Sequence, residues 1–309
     1  MINILITEFI DPEALKILSK DFNVIYKKDI WENSDYLKKE INKFDGIIVR
    51  NKTNLNQSIL EKAANLKYIG RLGVGLDNID TEYCKKNNIF VQPATGMNAD
   101  SVAEYVISSS LSLLKKTKLI SEKIQSGQWP RTTITTNELK GKILGLIGFG
   151  DIAKKVLKLI NAFEVTTIAF DPFITSQEME EHNVKKVTFE NILSLADIIS
   201  IHVPLNNETK YLFDKKIFQK MNNKPIIINS SRGGIINEID LFEAYKNNYV
   251  SGFALDVYEH EPVNKIFLKN ITNDMNCILS PHIAGVTEES NTRVSEFIMN
   301  KTNEFFHNF

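Results

Sequence analysis

Three reactive side chains stand just beyond three apolar runs in the second half of the chain. Ile226-Ile227-Ile228-Asn229 runs into Ser230-Ser231-Arg232, Ala254-Leu255 leads through Asp256 to Glu261, and Cys277-Ile278-Leu279 runs into Ser280-Pro281-His282. If these runs are strands of an open parallel sheet, all three groups gather at its carboxyl edge, where such sheets bind ligands. A guanidinium there can grip a carboxylate through two parallel bonds and polarise the adjacent carbonyl oxygen. An imidazole can take a hydroxyl proton, while a carboxylate beside it raises its basicity and fixes its tautomer. Together the three suit removal of a proton and a hydride from a 2-hydroxy acid. Singly, each has a plainer reading: Arg232 as a loop salt bridge, Glu261 as a solvated acid, His282 as a helix cap. A fourth run, ending at Ile201, leads into His202-Val203-Pro204.

Hydride transfer needs an acceptor, and the stretch that would hold one is Ile143-Leu144-Gly145-Leu146-Ile147-Gly148-Phe149-Gly150-Asp151-Ile152-Ala153. An apolar run breaking into Gly-x-Gly and then into helix-forming sequence is how the first βα unit of a dinucleotide-binding sheet is written. Gly148 makes the tight turn and Gly150 lets the backbone approach a pyrophosphate, toward which the helix opening at Asp151-Ile152 turns its unpaired N–H groups. Ala153 takes the position that needs only a small residue for packing. By themselves the glycines fit an ordinary turn equally well. A second apolar run, Val165–Phe170, then ends in Asp171, about 20 residues after the motif, where a carboxylate can accept from a ribose 2′-OH and repel a 2′-phosphate. The expected cofactor is NAD rather than NADP.

The elements that position these groups alternate along the chain. Ile4–Ile6, Val24–Tyr26, Gly46–Val49, Tyr68–Arg71 and Ile89–Val91 read as strands, with helices starting near Pro12, Ser34, Asn56 and Asp80. That order predicts a parallel sheet covered on both faces. After the loop Pro93–Asn98 comes one long helical pattern, 99–126, ended by Gly127-Gln128-Trp129-Pro130. Beyond Asp171 the strands are 198–203, 226–229, 250–255 and 277–279, and the chain closes on a helix over 287–303. Arg50 and Arg71 fall at the ends of two predicted strands of the first domain, with no acidic residue adjacent in sequence, and would suit a second anionic group on the substrate.

The 309 residues suffice for two domains, and 37 basic against 38 acidic residues give a net charge of −1, which argues against a nucleic-acid or membrane-surface partner. Cys84 and Cys277 have no metal or redox spacing, so no metal is expected, and reduced thiols fit a cytoplasmic setting. The opening Met1–Thr7 is too short for a signal segment and reads as a strand.

These motifs resemble the D-isomer-specific 2-hydroxyacid dehydrogenases. The likeness rests on Val49-Arg50-Asn51-Lys52-Thr53, Gly70-Arg71-Leu72-Gly73-Val74-Gly75-Leu76-Asp77, the glycine loop, His202-Val203-Pro204-Leu205, Asn229–Gly233, Leu255-Asp256-Val257-Tyr258, Glu261-Pro262 and Pro281-His282-Ile283-Ala284-Gly285. The pattern looks most like the 3-phosphoglycerate dehydrogenase branch, in a short form without a C-terminal regulatory domain, whose reaction serves serine biosynthesis. The resemblance implies two doubly wound α/β domains: a flavodoxin-like substrate domain of residues 1–97 completed by 284–309, and an inserted Rossmann NAD domain of 98–283. Arg232, Glu261 and His282 then match the catalytic triad, and Asp256 matches the nicotinamide-carboxamide ligand. Gly148, Phe149, Gly150, Asp151, Ile152, Asp171, Ser101, His202, Pro204 and Thr209 line the cofactor, and Arg50, Asn51, Arg71, Gly73, Val74 and Gly75 the substrate. Asn237 and Asn51 depart from the usual Asp and Ser. A homodimer is implied, with the long helix and Trp129 at its interface and a cleft that closes over the substrate. Hydroxypyruvate, glyoxylate or D-lactate remain alternative substrates, and an NAD-sensing binding protein a non-enzymatic one.

Overall fold

Short strands rich in Ile, Leu and Val bury both faces, and the computed structural model, which describes residues 1–308 except 273, builds them into parallel sheets covered by helices. The chain forms two units, Met1–Asn98 with Val286–Phe309, and Ala99–Gly285.

The first unit holds β1 (Asn3–Ile6), β2 (Asn23–Tyr26), β3 (Gly46–Val49), β4 (Tyr68–Arg71) and β5 (Phe90–Pro93) in the order β2-β1-β3-β4-β5, all parallel. This is the flavodoxin-type winding. Its helices begin on the residues expected: Asp11 accepts from the amides of Glu13 and Ala14 with Pro12 in the first turn, and Asp80 caps the helix Thr81–Lys86. The C-terminal helix Glu288–His307 returns to cover this sheet. A Cβ on Gly70 would lie 2.8 Å from Ile298, and one on Gly46 3.0 Å from Phe306, so the glycines let the helix sit directly on β3 and β4.

The second unit orders its strands β12-β11-β10-β9-β6-β7-β8, again all parallel, from β6 (Ile143–Ile147), β7 (Thr166–Phe170), β8 (Lys185–Lys186), β9 (Ile198–Ile201), β10 (Ile226–Asn229), β11 (Gly252–Leu255) and β12 (Cys277–Leu279). This is the Rossmann order with one further strand, and its winding reverses between β6 and β9. Both domains are therefore doubly wound.

One expectation fails. The helical pattern over 99–126 is two helices, Ala99–Lys115 and Thr117–Gln125, broken at Lys116, which adopts φ 52°. Leu113 and Leu114 stay buried on the first helix, whereas nothing in the second is buried. The backbone of Asn137 donates to Leu114 O, a carbonyl that a continuous helix would have used, and the Lys116 ammonium donates to Thr135 O, so the returning loop is tied to the break at both bonds. The two-residue β8, too short to leave a pattern, is the other difference.

Candidate active site

Arg232, Glu261 and His282 each lie a few residues past the carboxyl ends of β10, β11 and β12, which are neighbours in the sheet. His282 Nδ1 is 2.8 Å from Glu261 Oε2, and Glu261 Oε1 accepts from the Tyr258 amide at 3.1 Å. With Glu261 ionised, Nδ1 carries the proton of that bond and leaves Nε2 as the basic nitrogen. Burial pushes the Glu261 carboxyl up, but the bond and charge of His282, the Tyr258 amide and the Arg232 charge outweigh it and hold it below the usual carboxylate range. His282 itself sits at φ 57°, a left-handed backbone that a non-glycine residue keeps only when its surroundings enforce it.

Those surroundings are built by Asp256. Its buried carboxylate accepts from Ser280 Oγ at 2.7 Å and from the amides of Ile283 and Ala284 at 2.8 Å each, while its carbonyl accepts from the His282 amide at 2.8 Å. Since the Ser280 hydroxyl donates to Asp256, the Tyr105 hydroxyl 2.8 Å away is the donor to Ser280. Asp256 was expected to face the cofactor, and the structure gives its carboxylate this bracing work as well. Tyr105 and Ser280 carried no signal in the sequence, because the chain brings them together across 175 residues. The arginine loop is organised by buried Asn229, whose Nδ2 donates to Arg232 O and whose Oδ1 accepts from the amide and hydroxyl of Ser231.

The dinucleotide side fits its group. Gly148 has φ 89°, and a Cβ there would lie 2.7 Å from His202 O, so only glycine makes this turn. A Cβ on Gly150 would meet open space, and Gly150 caps the helix Asp151–Ile160 without any side-chain acceptor, which leaves the first-turn amides to an anion. Ala153 packs fully buried. Asp171 closes β7 and accepts from the Phe149 amide at 2.9 Å and the Phe173 amide at 2.8 Å, which fixes the carboxylate at the strand end. The imidazole of His202 is held neutral, its pKa lowered to about 4 by burial, and its Nε2 is buried without a partner. Ser101 is buried at the start of its helix.

Two expected cofactor residues are placed otherwise. The Phe149 ring lies in the core against His182, and its amide is taken by Asp171, so the residue holds the turn and offers the cofactor neither group. Thr209 Oγ1 donates to Pro204 O at 2.6 Å and accepts from the Asn206 amide, so its hydroxyl closes the loop after His202. Asn237, standing where Asp is usual, caps the helix Glu238–Lys246 through Asp240 N, as either residue can.

In the first unit, Arg50 and Arg71 stand at the carboxyl ends of neighbouring strands: Val49 pairs with Arg71 across β3 and β4, and Arg50 is the next residue. The sequence showed no acidic neighbour, but buried Glu8, 42 residues earlier, accepts from the amides of Arg50, Lys52 and Thr53 and shapes the whole loop. The Arg50 guanidinium meets the neutral amide of Asn291 at 2.8 Å. Arg71 donates to Leu72 O, and a Cβ on Gly73 would lie 2.1 Å from its Nη1, so Gly73 makes room for the guanidinium. Asn51 and Val74 are exposed beside them.

Residues 107–284 match the family model of the D-isomer specific 2-hydroxyacid dehydrogenase NAD-binding domain. The chain belongs to the D-isomer specific 2-hydroxyacid dehydrogenases. As a member it is an oxidoreductase that uses NAD on small 2-hydroxy acids. It is 35% identical over 296 residues to the (S)-sulfolactate dehydrogenase of Chromohalobacter salexigens, covering 96% of this chain and 95% of that protein. It is 34% identical over 308 residues to the D-3-phosphoglycerate dehydrogenase of Bacillus subtilis, covering 99% of this chain but 57% of that protein. The chain thus spans little more than half the length of that relative. A D-lactate dehydrogenase from Aquifex aeolicus, solved with NAD and lactic acid, superposes with a TM-score of 0.87 at 26% identity, covering 99% of this chain and 96% of that one. Among the described residues no helix is long and apolar enough to cross a membrane.

Proposed function

We propose that this dehydrogenase acts on a 2-hydroxy acid with a second anionic group, oxidising D-3-phosphoglycerate to 3-phosphohydroxypyruvate as a step of serine biosynthesis. The observation that carries this reading is the pair Arg50 and Arg71 at the ends of adjacent strands, two fixed cations suited to a phosphate. Asn51 and the Gly73-Val74-Gly75 turn complete that substrate side. Arg232 binds the substrate carboxylate and polarises the oxygen at C2. His282 Nε2 takes the hydroxyl proton, and Glu261 steadies the imidazolium that results. NAD, when bound, supplies the acceptor for the hydride. Gly150, Asp151, Ile152 and Ser101 would hold its pyrophosphate, Asp171 its ribose, His202 and Pro204 its adenosine, and Asp256 its carboxamide. The enzyme works as a cytoplasmic homodimer, with Trp129, 77% exposed, at the interface.

A second reading is favoured by the near full-length match to the sulfolactate dehydrogenase: a sulfonate in place of the phosphate. The test is a panel of 3-phosphohydroxypyruvate, 3-sulfopyruvate, hydroxypyruvate, glyoxylate and pyruvate with NADH, on the wild type and on Arg50→Ala and Arg71→Ala. A charge-assisted bond of roughly 1.5–3 kcal/mol predicts a loss of about 10-fold to 150-fold in kcat/KM on the phosphorylated acid. Hydroxypyruvate should hardly notice. Equal losses on both would reject an anion site and favour a hydroxypyruvate or glyoxylate reductase, and a sulfopyruvate preference would favour the second reading.

A further inference from the structure

Two residues before Glu261 and six after Arg232, the two loops that carry these groups are locked together by side chains the reaction itself does not use. A Cβ on Gly233 would lie 1.8 Å from Tyr258 O, so the arginine loop rests directly on the Tyr258–Glu259 peptide. Beyond this contact the loops exchange two hydrogen bonds. The Glu238 amide donates to Glu259 Oε1 at 3.0 Å, and the Glu259 amide donates to Glu238 Oε1 at 2.6 Å. The Tyr211 hydroxyl donates to the other Glu259 oxygen at 3.0 Å. Each carboxylate thus holds the backbone of the other residue, and one of the amides belongs to the first turn of the helix Glu238–Lys246, which would otherwise lack a partner.

Nothing in packing explains why both members are acids. A pair of carboxylates at this distance repels, and burial adds to the cost of charging either. The groups facing Glu238 are Glu259, Glu261 and the Tyr258 hydroxyl, none of them a cation. Burial first, opposed by the Glu259 amide and reinforced by the charges of Glu259 and Glu261, brings the Glu238 carboxyl up to about 7. An amide or hydroxyl would make the same bond without that cost, whereas an ionised carboxylate grips the Glu259 N–H more strongly.

We propose that Glu238 and Glu259 are positioning residues, a reciprocal carboxylate clasp that sets Glu261 against Arg232 and thereby holds the His282 imidazole in its working orientation. The clasp rests on the assignment of Glu261 and His282 as the acid–base pair. It acts on geometry and touches neither substrate nor cofactor.

The test compares Glu238→Ala, Glu259→Ala, Glu238→Gln, Glu261→Gln and His282→Ala by kcat, KM and NADH binding followed by nucleotide fluorescence. A displacement of the order of 1 Å at the acid–base pair predicts a loss of about 10-fold to 100-fold in kcat for the two alanine variants, with KM and NADH affinity close to wild type. Glu238→Gln keeps an acceptor for the Glu259 amide and should recover to within about fivefold of wild type. If Glu261→Gln and His282→Ala are crippled while both alanine variants turn over as wild type, the clasp is wrong and the acid–base assignment stands. If His282→Ala and Glu261→Gln keep full activity, the assignment falls and the clasp with it. Loss of NADH binding in Glu238→Ala and Glu238→Gln alike would overturn the clasp in favour of a general packing role.

Discussion

At the scale of single residues, the proposed chemistry depends on one bond, His282 Nδ1 to Glu261 Oε2, which leaves Nε2 as the basic nitrogen. His282→Ala should abolish turnover in both directions while NADH still binds, because the lost group acts on the proton of the substrate; stopped-flow fluorescence and steady-state rates separate the two. Glu261→Gln should keep part of the activity, since an amide oxygen still accepts the Nδ1 proton but carries no charge to steady the imidazolium. Wild-type turnover in this variant would refute the pairing. The gathering of Arg232, Glu261 and His282 at neighbouring strand ends was legible in the sequence because each follows an apolar run that could be recognised as a strand. Glu8, Tyr105 and Ser280 were not, since their partners lie 24 to 175 residues away and a buried acid or hydroxyl looks locally like any other. Phe149 shows a related limit: its place in the glycine motif told where it stood, but only packing decides that its ring turns inward.

At the scale of elements, the strands and caps were readable and the break at Lys116 was not. Uniform Ile and Val runs can only be doubly buried strands, and Asp11, Asp80 and Asn237 stand one residue before helices that need their oxygens. Lys116 carries none of the usual marks of a helix end, Gly, Pro or Asn, and its left-handed backbone is imposed by the loop through Thr135 and Asn137. The loop pair around the active site gives a sharper test. Gly233→Ala places a methyl 1.8 Å from Tyr258 O, an overlap with backbone that no rotamer relieves. It should destabilise the second unit by about 1–3 kcal/mol and separate the arginine from the glutamate, so that kcat falls more than NADH affinity. Calorimetry with NADH titration checks both, and wild-type turnover would show that the loops tolerate separation.

At the scale of the whole molecule, the raised Glu238 carboxyl makes stability depend on pH in a defined sense. In the folded state it titrates near 7, above its ordinary 4.5. Its contribution is complete below about pH 4.5 and is lost as pH rises through 7, because the folded state then must carry a charge that it disfavours. Glu238→Gln should therefore melt close to wild type at pH 4.5 and above it at pH 8, by roughly 2–4 °C for each kcal/mol of relief. A melting difference that does not change with pH would show that the carboxylate is not strained. The wild type thus carries a penalty at neutral pH that the neutral Glu238→Gln side chain would lift while keeping the bond to the Glu259 amide.

The placing of the last helix also bears on the order in which the molecule can be completed. Ile4, Ile6, Ile48 and Tyr68 share one hydrophobic cluster with Val294, Ile298, Met299 and Phe306, so one face of the first sheet is covered by side chains made after everything else in it. During synthesis that face waits while the whole of Ala99–Gly285 emerges, roughly 10–40 s at the usual pace of a ribosome. Over that interval the early strands are an exposed apolar surface, whereas the second unit, continuous in sequence, already holds all it needs to close. The loops that carry Arg232, Glu261 and His282, all in this second unit, can thus be set before the first sheet is sealed.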